Sequence, residues 1–459
     1  MNVSHTLRPA DAEARAEPYR RIGIAFGRRA FLLAAVGLVW LGPAFLNPRF
    51  GWAILAWDVL LLLAAAVDLY RLPRPEKLIV TRHWKEPAAL SVAGEVGLTL
   101  RNEGSVAVLA DLRDDVPAQL RNQIPSIKIK AVARNEAQAC YQMTPVVRGD
   151  VEVGDVYLHY QSPLGLAERW ARAPLKQGVR VYPNLEDVRR QSIHLVRSRQ
   201  IEMQQRQTRA RGMGREFDSL REYWQGDDFR NICWSASARR GKLVSKVYQA
   251  ERSQVVWLVI DCGRLMRAEI NGLTKLDYAV NTALCLSEVA LYAGDRVGLL
   301  AYDRAPTHRI LPQRGSAQLR RVMEQLVDLR TGPLEADHLR AAGALLSSQT
   351  RRSLVIWLTD FAETAMTPEV VDAAMKLTPP HLVLFTVIGQ PDLATMAAQK
   401  PKSVASMYEA SAAQEIMLRR QVLLGRMRDR GAMLVEVDTA AMSAAVVNTY
   451  LDVKQQNRL

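Results

Sequence analysis

Two long apolar runs near the start of the chain constrain its fold more than any other feature. Residues 30–46 are apolar throughout, and residues 51–67 are apolar except for Asp58. Each run reaches the minimum of about 17 residues that a helix needs to cross a bilayer. Between them, positions 47–50 carry the turn sequence NPRF. The pattern therefore predicts a transmembrane helical hairpin over residues 30–70, preceded by a tail of residues 1–29.

The basic residues around these runs predict how the hairpin is oriented. They stand before the first run at Arg20, Arg21, Arg28 and Arg29, and after the second at Arg71, Arg74 and Lys77. The turn contains one basic residue, Arg49. Under the positive-inside rule both chain ends lie in the cytoplasm, with two spans across the cytoplasmic membrane. A cleaved signal peptide is one alternative, but no small-residue cleavage site follows the first run. Buried helices of a soluble protein are a second alternative.

Asp58 is the one acidic residue within the two runs. A carboxylate inside a membrane is costly, so it is a functional candidate by default. Neither run offers a Lys or Arg as its partner. In the plainer interpretation, which we favour, Asp58 lies near the outer interface or is protonated and packed against the first helix.

Composition narrows the classes of partner. The net charge of +14 suits nucleic acid, anionic lipid or an acidic protein. No nucleic-acid-reading motif accompanies that charge, and basic clusters flank the apolar runs, so membrane lipid is expected and nucleic acid is not. The four cysteines form no CxxC pair, which indicates reduced thiols and not a zinc site or a disulfide framework.

The pattern changes after the second apolar run. Residues 77–183 form short alternating stretches separated by turn sequences, which predicts a β-rich sandwich of immunoglobulin-like type. Residues 184–250 begin with a polar, basic linker. Residues 251–455 alternate between apolar strands and amphipathic helices, which predicts an α/β domain with a doubly wound parallel sheet. Asp261 and Asp360 follow two of its strands, at the edge where such sheets bind ligands.

The segment 214–240 combines charge and aromatic side chains at unusual density. Its candidate site residues are Arg221, Glu222, Tyr223, Gly226, Asp227, Asp228, Arg230, Trp234 and Arg239. Arginine forks suit carboxylates, so an ion-pair cluster is expected around the turn at Gly226. We favour a buried ion-pair corner that docks one domain on another. A binding or catalytic constellation is the alternative, because perturbed charge clusters serve both purposes.

This segment resembles the signature of the bacterial DUF 58 family, L-R-x-Y-x-x-G-D-x-x-R-x-I-x-W-x-x-x-A-R. The matching residues are Leu220, Arg221, Tyr223, Gly226, Asp227, Arg230, Ile232, Trp234, Ala238 and Arg239. The resemblance implies a pair of membrane helices, a β-rich region and a C-terminal von Willebrand factor A-like domain. It also implies a MoxR-type AAA+ ATPase encoded nearby. A second segment, SPLGL at 162–166, is similar to the family's D-P-F-G-L, with Ser162 in place of the usual Asp.

The comparison with von Willebrand A domains exposes a departure at their metal site. That site begins D-x-S-x-S, whereas here Gly263 and Leu265 stand at the serine positions after Asp261. Arg264 adds a positive charge beside them, and Asp360 is retained. Mg²⁺ needs about six oxygen ligands, several of them from the protein. We therefore expect a degenerate site that holds no metal tightly, and no cofactor.

The sequence contains no Walker A, G-x-S-x-G or H-E-x-x-H motif. The leading hypothesis is a membrane-anchored, non-enzymatic adaptor whose A-type domain binds a protein partner. By resemblance that partner is a MoxR-like AAA+ ATPase, and the process is assembly or maturation of a membrane or envelope complex. The alternatives are a cryptic hydrolase using Glu222, Asp227 and Asp228, and a binder of anionic lipid or nucleic acid.

Overall fold

The computed structural model describes most of the chain. The described residues are 8–19, 23–46, 51–121, 123–184, 216–225, 227–249, 253–361, 369–389, 391–401 and 403–456. They fall into two compact units, residues 1–182 and residues 183–459.

The first unit contains a β module and a group of apolar helices. Its strands are β1 Ala12–Arg15, β2 Glu17–Pro18, β3 Ile24–Phe26, β4 Leu78–Trp84, β5 Gly94–Asn102, β6 Val108–Asp114, β7 Ser126–Ala131, β8 Asn135–Met143, β9 Gly149–Val153, β10 Val156–Gln161, β11 Ala167–Ala173 and β12 Gln177–Val181. Its helices are α1 Arg28–Gly37, α2 Leu41–Leu46 and α3 Gly51–Arg71.

The second unit begins with a hairpin and continues as an α/β domain. The hairpin consists of β13 Glu216–Glu222, α4 Trp234–Arg240 and β14 Val244–Gln249. The strands that follow are β15 Val255–Asp261, β16 Glu269–Ile270, β17 Leu273–Thr274, β18 Arg296–Tyr302, β19 Pro306–Gln313, β20 Leu354–Thr359, β21 Leu382–Ile388 and β22 Met433–Val437. The helices are α5 Lys275–Tyr292, α6 Ser316–Asp328, α7 His338–Ser348, α8 Glu369–Leu377, α9 Pro391–Ala398, α10 Val404–Asp429 and α11 Met442–Gln455.

The α/β domain is doubly wound, as the strand–helix alternation predicted. Its sheet has the order β19-β18-β15-β20-β21-β22, and all neighbours are parallel except the edge strand β19. Alternate residues of a strand face opposite sides, so the buried strands feed two cores. Helices α7, α8 and α10 cover the side that contains Trp257 and Trp357. Helix α5 packs against α6 and α11. This places the carboxyl ends of β15 and β20, with Asp261 and Asp360, side by side.

The β module contains two larger antiparallel sheets, as the alternating pattern predicted, and a small antiparallel sheet of β9 and β12. One sheet has the order β1-β4-β5-β8, and the other contains β2, β11, β10, β6 and β7 in that order. Their facing side chains form a core that includes Leu98, Leu112 and Leu158. Inside it Arg82 forms a buried ion pair with Asp114 and also donates to two backbone carbonyls. These extra bonds matter because a buried ion pair is stable only when its remaining donors are satisfied.

The predicted tail of residues 1–29 contains strands of this module, which the sequence analysis missed. β1 pairs with β4, and β2 and β3 pair with β11. In β1 the half-buried residues are Ala12 and Ala14, which pack against the core. Alanine is a poor strand former, so the A-E-A-R alternation carries little signal on its own. The N-terminal segment is therefore part of the β module in the described range.

The apolar helices differ from the predicted pair of continuous spans. One helix, Gly51–Arg71, is long and apolar enough to cross a membrane, with a mean hydropathy of 2.0. The first run is divided into α1, a 3-10 turn and α2. Gly37 ends α1, and Pro43, which has no backbone N–H to donate, lies in the first turn of α2. Among the described residues only the second run therefore forms a helix of spanning length, and the prediction of a hairpin of two such helices is wrong.

Helices α1 and α3 nevertheless pack against each other. The indole N–H of Trp57 donates to the Leu33 carbonyl at 2.9 Å. A Cβ on Gly37 would lie only 2.4 Å from Trp57 Cδ1, so glycine permits this close approach. Asp58 is exposed on the surface of α3. The expectation that Asp58 packs against the first helix is therefore wrong.

A buried carboxylate joins the end of α3 to the β module. Asp68 accepts hydrogen bonds from Ser162 Oγ at 2.6 Å and from the backbone N–H groups of Leu166 and Ala167 at 3.1 and 3.0 Å. On the other side of the same loop, Arg29 of α1 donates to the Leu164 carbonyl at 3.1 Å. The loop that connects β10 to β11 is consequently held by both helices.

We expect Asp68→Ala to lower the free energy of unfolding of the first unit by about 2–4 kcal/mol. The substitution leaves two buried backbone N–H groups without an acceptor, each costing about 1–3 kcal/mol. Thermal unfolding of the full-length protein in detergent measures the effect. The matched control is Asp58→Ala in the exposed part of the same helix, which should change stability by less than about 0.5 kcal/mol. Equal stability of the two variants would contradict this account of the junction.

Candidate functional site

Two aspartates lie at the carboxyl edge of the α/β sheet, as predicted. Asp261 ends β15 and is buried. Its Oδ1 accepts from the Gly263 N–H at 2.7 Å, and its Oδ2 accepts from Thr359 Oγ1 at 2.6 Å. Burial raises the pKa of Asp261, although nearby His338 and these two hydrogen bonds oppose the shift. Both carboxylate oxygens are therefore already engaged by the protein.

Asp360 forms an ion pair with Lys275, and both side chains are buried. Lys275 is the first residue of α5, directly after the N-cap Thr274. A cation at a helix N-terminus opposes the helix dipole, and burying an ammonium group is costly. The pair with Asp360 offsets both costs. Arg420 adds a second cation, with Nη1 at 4.0 Å from Asp360 Oδ1.

Lys275 thus supplies the positive charge at this edge, which the sequence analysis assigned to Arg264. Arg264 instead lies on the surface, where it pairs with Glu335 at 3.1 Å. Gly263 stands where A domains have a serine, and a Cβ there would lie 2.8 Å from the Ala336 backbone nitrogen. Leu265, at the second serine position, is half-buried. In the described part of the chain no three His, Cys, Asp or Glu side chains converge as metal ligands.

A buried aromatic network lies beside this edge, and the sequence analysis did not find it. The Tyr302 hydroxyl is 2.7 Å from His338 Nδ1 and accepts from the Trp357 indole at 2.7 Å. Burial raises the pKa of Tyr302 well above its usual range. These residues come from β18, α7 and β20, so no local motif marks them.

The second candidate is the hairpin formed by β13, α4 and β14, called the signature hairpin below. Asp227 organises its turn. It pairs with Arg221, accepts from the Trp224 N–H at 3.1 Å, and its carbonyl accepts from the Tyr223 hydroxyl at 3.2 Å. Asp228 caps the 3-10 turn that follows by accepting from the Arg230 N–H at 3.0 Å. Gly226 lies outside the described residues.

Helix α4 is fastened to β14 by small polar contacts. Ser237 Oγ donates to the Cys233 carbonyl at 2.9 Å and accepts from the Val244 N–H at 2.9 Å. Ile232 is buried and bridges to Ser245. The hairpin is therefore a defined scaffold on which the other side chains are displayed.

Three large aromatic side chains of the signature hairpin point into solvent. Trp224, Phe229 and Trp234 are 71 %, 73 % and 69 % exposed. Arg230 and Arg239 are also exposed, and within the described residues neither guanidinium contacts a carboxylate. We call these five residues the aromatic–arginine surface. Large apolar groups are usually buried, so this much exposure in one short segment makes the surface a candidate interaction site.

The buried ion-pair corner expected here is not what the structure contains. The Arg221–Asp227 pair does form, but the Arg221 side chain is about half exposed. Arg230 does not join it. Glu222 pairs with Lys242 at 3.3 Å on the surface. The aromatic residues that suggested a packed corner surround the charges in sequence but face outwards in space.

The matching family agrees with the signature. The model of the family described as "Protein of unknown function DUF58" matches residues 219–394. The match confirms the resemblance for this part of the chain. It covers the signature hairpin from residue 219 onward, strand β15, which ends at Asp261, and strand β20, which Asp360 follows.

Curated relatives add organisms but no activity. The chain is 26% identical over 152 residues to "Uncharacterized protein Rv1480" of Mycobacterium tuberculosis (strain ATCC 25618 / H37Rv). The same figures hold for "Uncharacterized protein Mb1516" of Mycobacterium bovis. The match covers 33% of this chain and 48% of each relative, so the chain spans about half the length of the curated relatives it matches.

Solved structures overlap with part of the chain at low scores. A conserved hypothetical protein BatB from Bacteroides thetaiotaomicron is 14% identical, with a TM-score of 0.29, and covers 43% of this chain and 100% of its own. An aerotolerance-related membrane protein from Bacteroides fragilis is also 14% identical, with a TM-score of 0.30, and covers 44% of this chain and 99% of its own. Scores at this level carry no argument about function.

We expect Lys275→Ala to lower the free energy of unfolding of the second unit by about 3–5 kcal/mol. The substitution leaves the buried Asp360 carboxylate without its ammonium partner. Urea unfolding of the full-length protein in detergent measures the loss. The matched control is Arg264→Ala, which removes an exposed ion pair and should cost less than about 1 kcal/mol.

The effect of Mg²⁺ on Tm distinguishes an internally paired edge from one that binds a metal ion. Because Lys275 already neutralises Asp360, millimolar Mg²⁺ should leave the Tm of the unaltered chain unchanged. A Mg²⁺-dependent rise in Tm that Asp261→Ala abolishes would show that the edge binds a metal after all.

Proposed function

We propose that this chain is a membrane-anchored, non-enzymatic adaptor. Its α/β domain, of von Willebrand A type, and the signature hairpin together bind a cytoplasmic protein partner. The partner that the family resemblance suggests is a MoxR-like AAA+ ATPase, and the process is assembly or maturation of a membrane or envelope complex. The observation that carries this proposal is the aromatic–arginine surface.

The chemistry of that surface supports protein binding. Tryptophan and arginine are enriched among the residues that dominate binding energy at protein interfaces. Trp224, Phe229 and Trp234 offer apolar area. Arg230 and Arg239, which form no ion pair with a carboxylate in the described part of the chain, offer bidentate donors. The surface therefore suits a partner that presents acidic residues around an apolar pocket.

The carboxylates of the same segment support a non-enzymatic role. A hydrolase would need one of them free to act as acid or base at a reacting group. Here Asp227 pairs with Arg221, Asp228 caps a turn, and Glu222 pairs with Lys242. Each carboxylate has a structural partner, which disfavours the hydrolase alternative.

The β module supports anchoring by an even number of crossings. The chain leaves the module after β3 and returns to it at β4, so both ends of the helical segment are attached to the same body. If α3 crosses the bilayer, then α1 and α2 together must cross it in the opposite direction. We propose two crossings, with the turn at 47–50 outside and both chain ends in the cytoplasm, as the basic flanks favour.

Partner capture tests the adaptor role. We expect Trp234→Ala to weaken binding of the full-length protein to the purified ATPase by about 2 kcal/mol, a factor of about 30 in Kd. Because the side chain is exposed, Tm should stay within the error of the unaltered chain. Biolayer interferometry, with the protein in nanodiscs and both partners at defined concentrations, measures the Kd.

Tyr408→Ala is the matched control, since Tyr408 is 70 % exposed elsewhere in the second unit. It should leave capture intact. Arg230→Ala should weaken capture without a loss of stability. A large drop in Tm for Arg230→Ala, together with normal capture by Trp234→Ala, would show that the segment has a structural role and does not bind the partner.

Topology tests the anchor. A reporter that is active only in the periplasm should be active when inserted after Arg49 and inactive when fused after Leu459. The reason is that both ends of the helical segment belong to one module and therefore share one side of the membrane. Activity of both fusions, or of the Leu459 fusion alone, would overturn the proposed orientation.

A further inference from the structure

A basic groove lies at the end of the β module where the helices attach. Strand register fixes the position of its residues: Gln161 at the end of β10 is opposite Leu109 of β6, which in turn is opposite Lys130 of β7. The loop after Gln161 is the one held by Asp68 and Arg29. Lys130 therefore lies at the level where the helical segment leaves the module.

The groove has a volume of about 570 Å³, and its cations come from two separate elements. Arg28 and Arg29 line it from the start of α1, and Lys128 and Lys130 line it from β7. Residues two apart on a strand share a face, so both lysines project to the same side. Convergence of four cations on one concave surface is unfavourable unless an anion lies between them.

The two acidic residues of the groove offset only part of this charge. Glu168 is 2.7 Å from His159 Nε2. Asp111 lies opposite Lys128 in the sheet, accepts from Ser126 Oγ at 2.7 Å and is 3.9 Å from Arg113. Among the residues that the structure describes, no carboxylate forms an ion pair with Arg28, Lys128 or Lys130. With four Arg and Lys residues against two carboxylates, the lining of the groove retains a net positive charge.

An apolar rim continues from the groove onto the helices. Ile24, Phe26, Phe31 and Leu164 are all exposed. Phe26 and Phe31 pack edge to face with ring centroids 6.5 Å apart, which joins β3 to α1. Aromatic and basic residues at the end of an apolar helix are typical of the level of the lipid headgroups.

We propose that this groove binds the phosphate of an anionic phospholipid headgroup in the cytoplasmic leaflet. The inference rests on the proposed membrane anchor, which brings the start of α1 and the groove to the headgroup level. Arginine and lysine donate charge-assisted hydrogen bonds to phosphate oxygens, and the rim residues contact the upper acyl chain. Charge complementarity and continuity with the apolar helices favour a lipid over a free anion.

Thermal unfolding of the full-length protein in detergent tests the groove. Added phosphatidylglycerol should raise Tm, whereas phosphatidylcholine or inorganic phosphate at the same concentration should not. The double variant Lys128→Gln/Lys130→Gln should lose at least half of the lipid-dependent rise. Both side chains are exposed, so the variant should fold normally.

Lys85→Gln/Lys176→Gln is the matched control. It removes the same charge at the opposite end of the module, where Lys85 pairs with Glu95 and Lys176 with Glu152, each at 2.8 Å. It should keep the full response to phosphatidylglycerol. An equal loss in the two double variants, an equal response to phosphatidylcholine, or an equal response to inorganic phosphate would overturn the proposal.

Alkaline extraction of native membranes separates this inference from the anchor itself. Release of the chain by carbonate would defeat the proposed anchor. A chain that stays in the membrane but whose Lys128→Gln/Lys130→Gln variant responds to lipid like the unaltered protein would defeat the groove alone.

Discussion

The architecture of the first unit depends on one buried carboxylate, Asp68. It is the last acidic residue of α3, and its three hydrogen bonds fasten that helix to the loop between β10 and β11. Arg29 fastens α1 to the same loop. An apolar helix would otherwise be free to tilt against the module, because dispersion contacts are non-directional. The polar clamp therefore fixes the angle of the helices and the end of the module to which they are attached.

The second unit uses buried charge in a related way. Lys275 and Asp360 neutralise each other at the carboxyl edge of a parallel sheet, with Arg420 nearby. This edge is where doubly wound sheets commonly bind ligands. Because the charges at this edge pair with one another, the edge stabilises the domain. Exposed, unsatisfied groups are found instead on the signature hairpin, where Trp234 and Arg230 reach solvent.

Local patterns in the sequence predicted the features that depend on neighbours along the chain. The strand–helix alternation over residues 251–455 became the doubly wound sheet and its helices, and the second apolar run became α3. Features that depend on distant partners were missed. Lys275 meets Asp360 across 85 positions, and no periodicity reports such a pairing. β1 to β3 were missed because strands of two to four residues show little periodicity and depend on β4 and β11 for their pairing.

The prediction of a buried corner at the signature segment was wrong for a different reason. Dense aromatic residues normally indicate packing, and here they led to the expectation of a buried corner. The backbone of the segment is indeed ordered by Asp227 and Asp228. Its aromatic side chains, however, face away from that scaffold. Composition alone cannot distinguish an aromatic cluster that is buried when the chain folds from one that is buried only when a partner binds.

The first strands of the chain are synthesised long before the strand β11 with which two of them pair. Pro18 of β2 pairs with Ala171 of β11, so the two partners are separated by about 150 residues of synthesis. At about 5–20 residues per second, β2 and β3 emerge about 10–30 s before their partner strand exists. During that interval the apolar helices emerge from the ribosome. Ile24 and Phe26 have no partner strand with which to pair. A chaperone that shields this short N-terminal segment during translation would protect the protein at its most vulnerable moment.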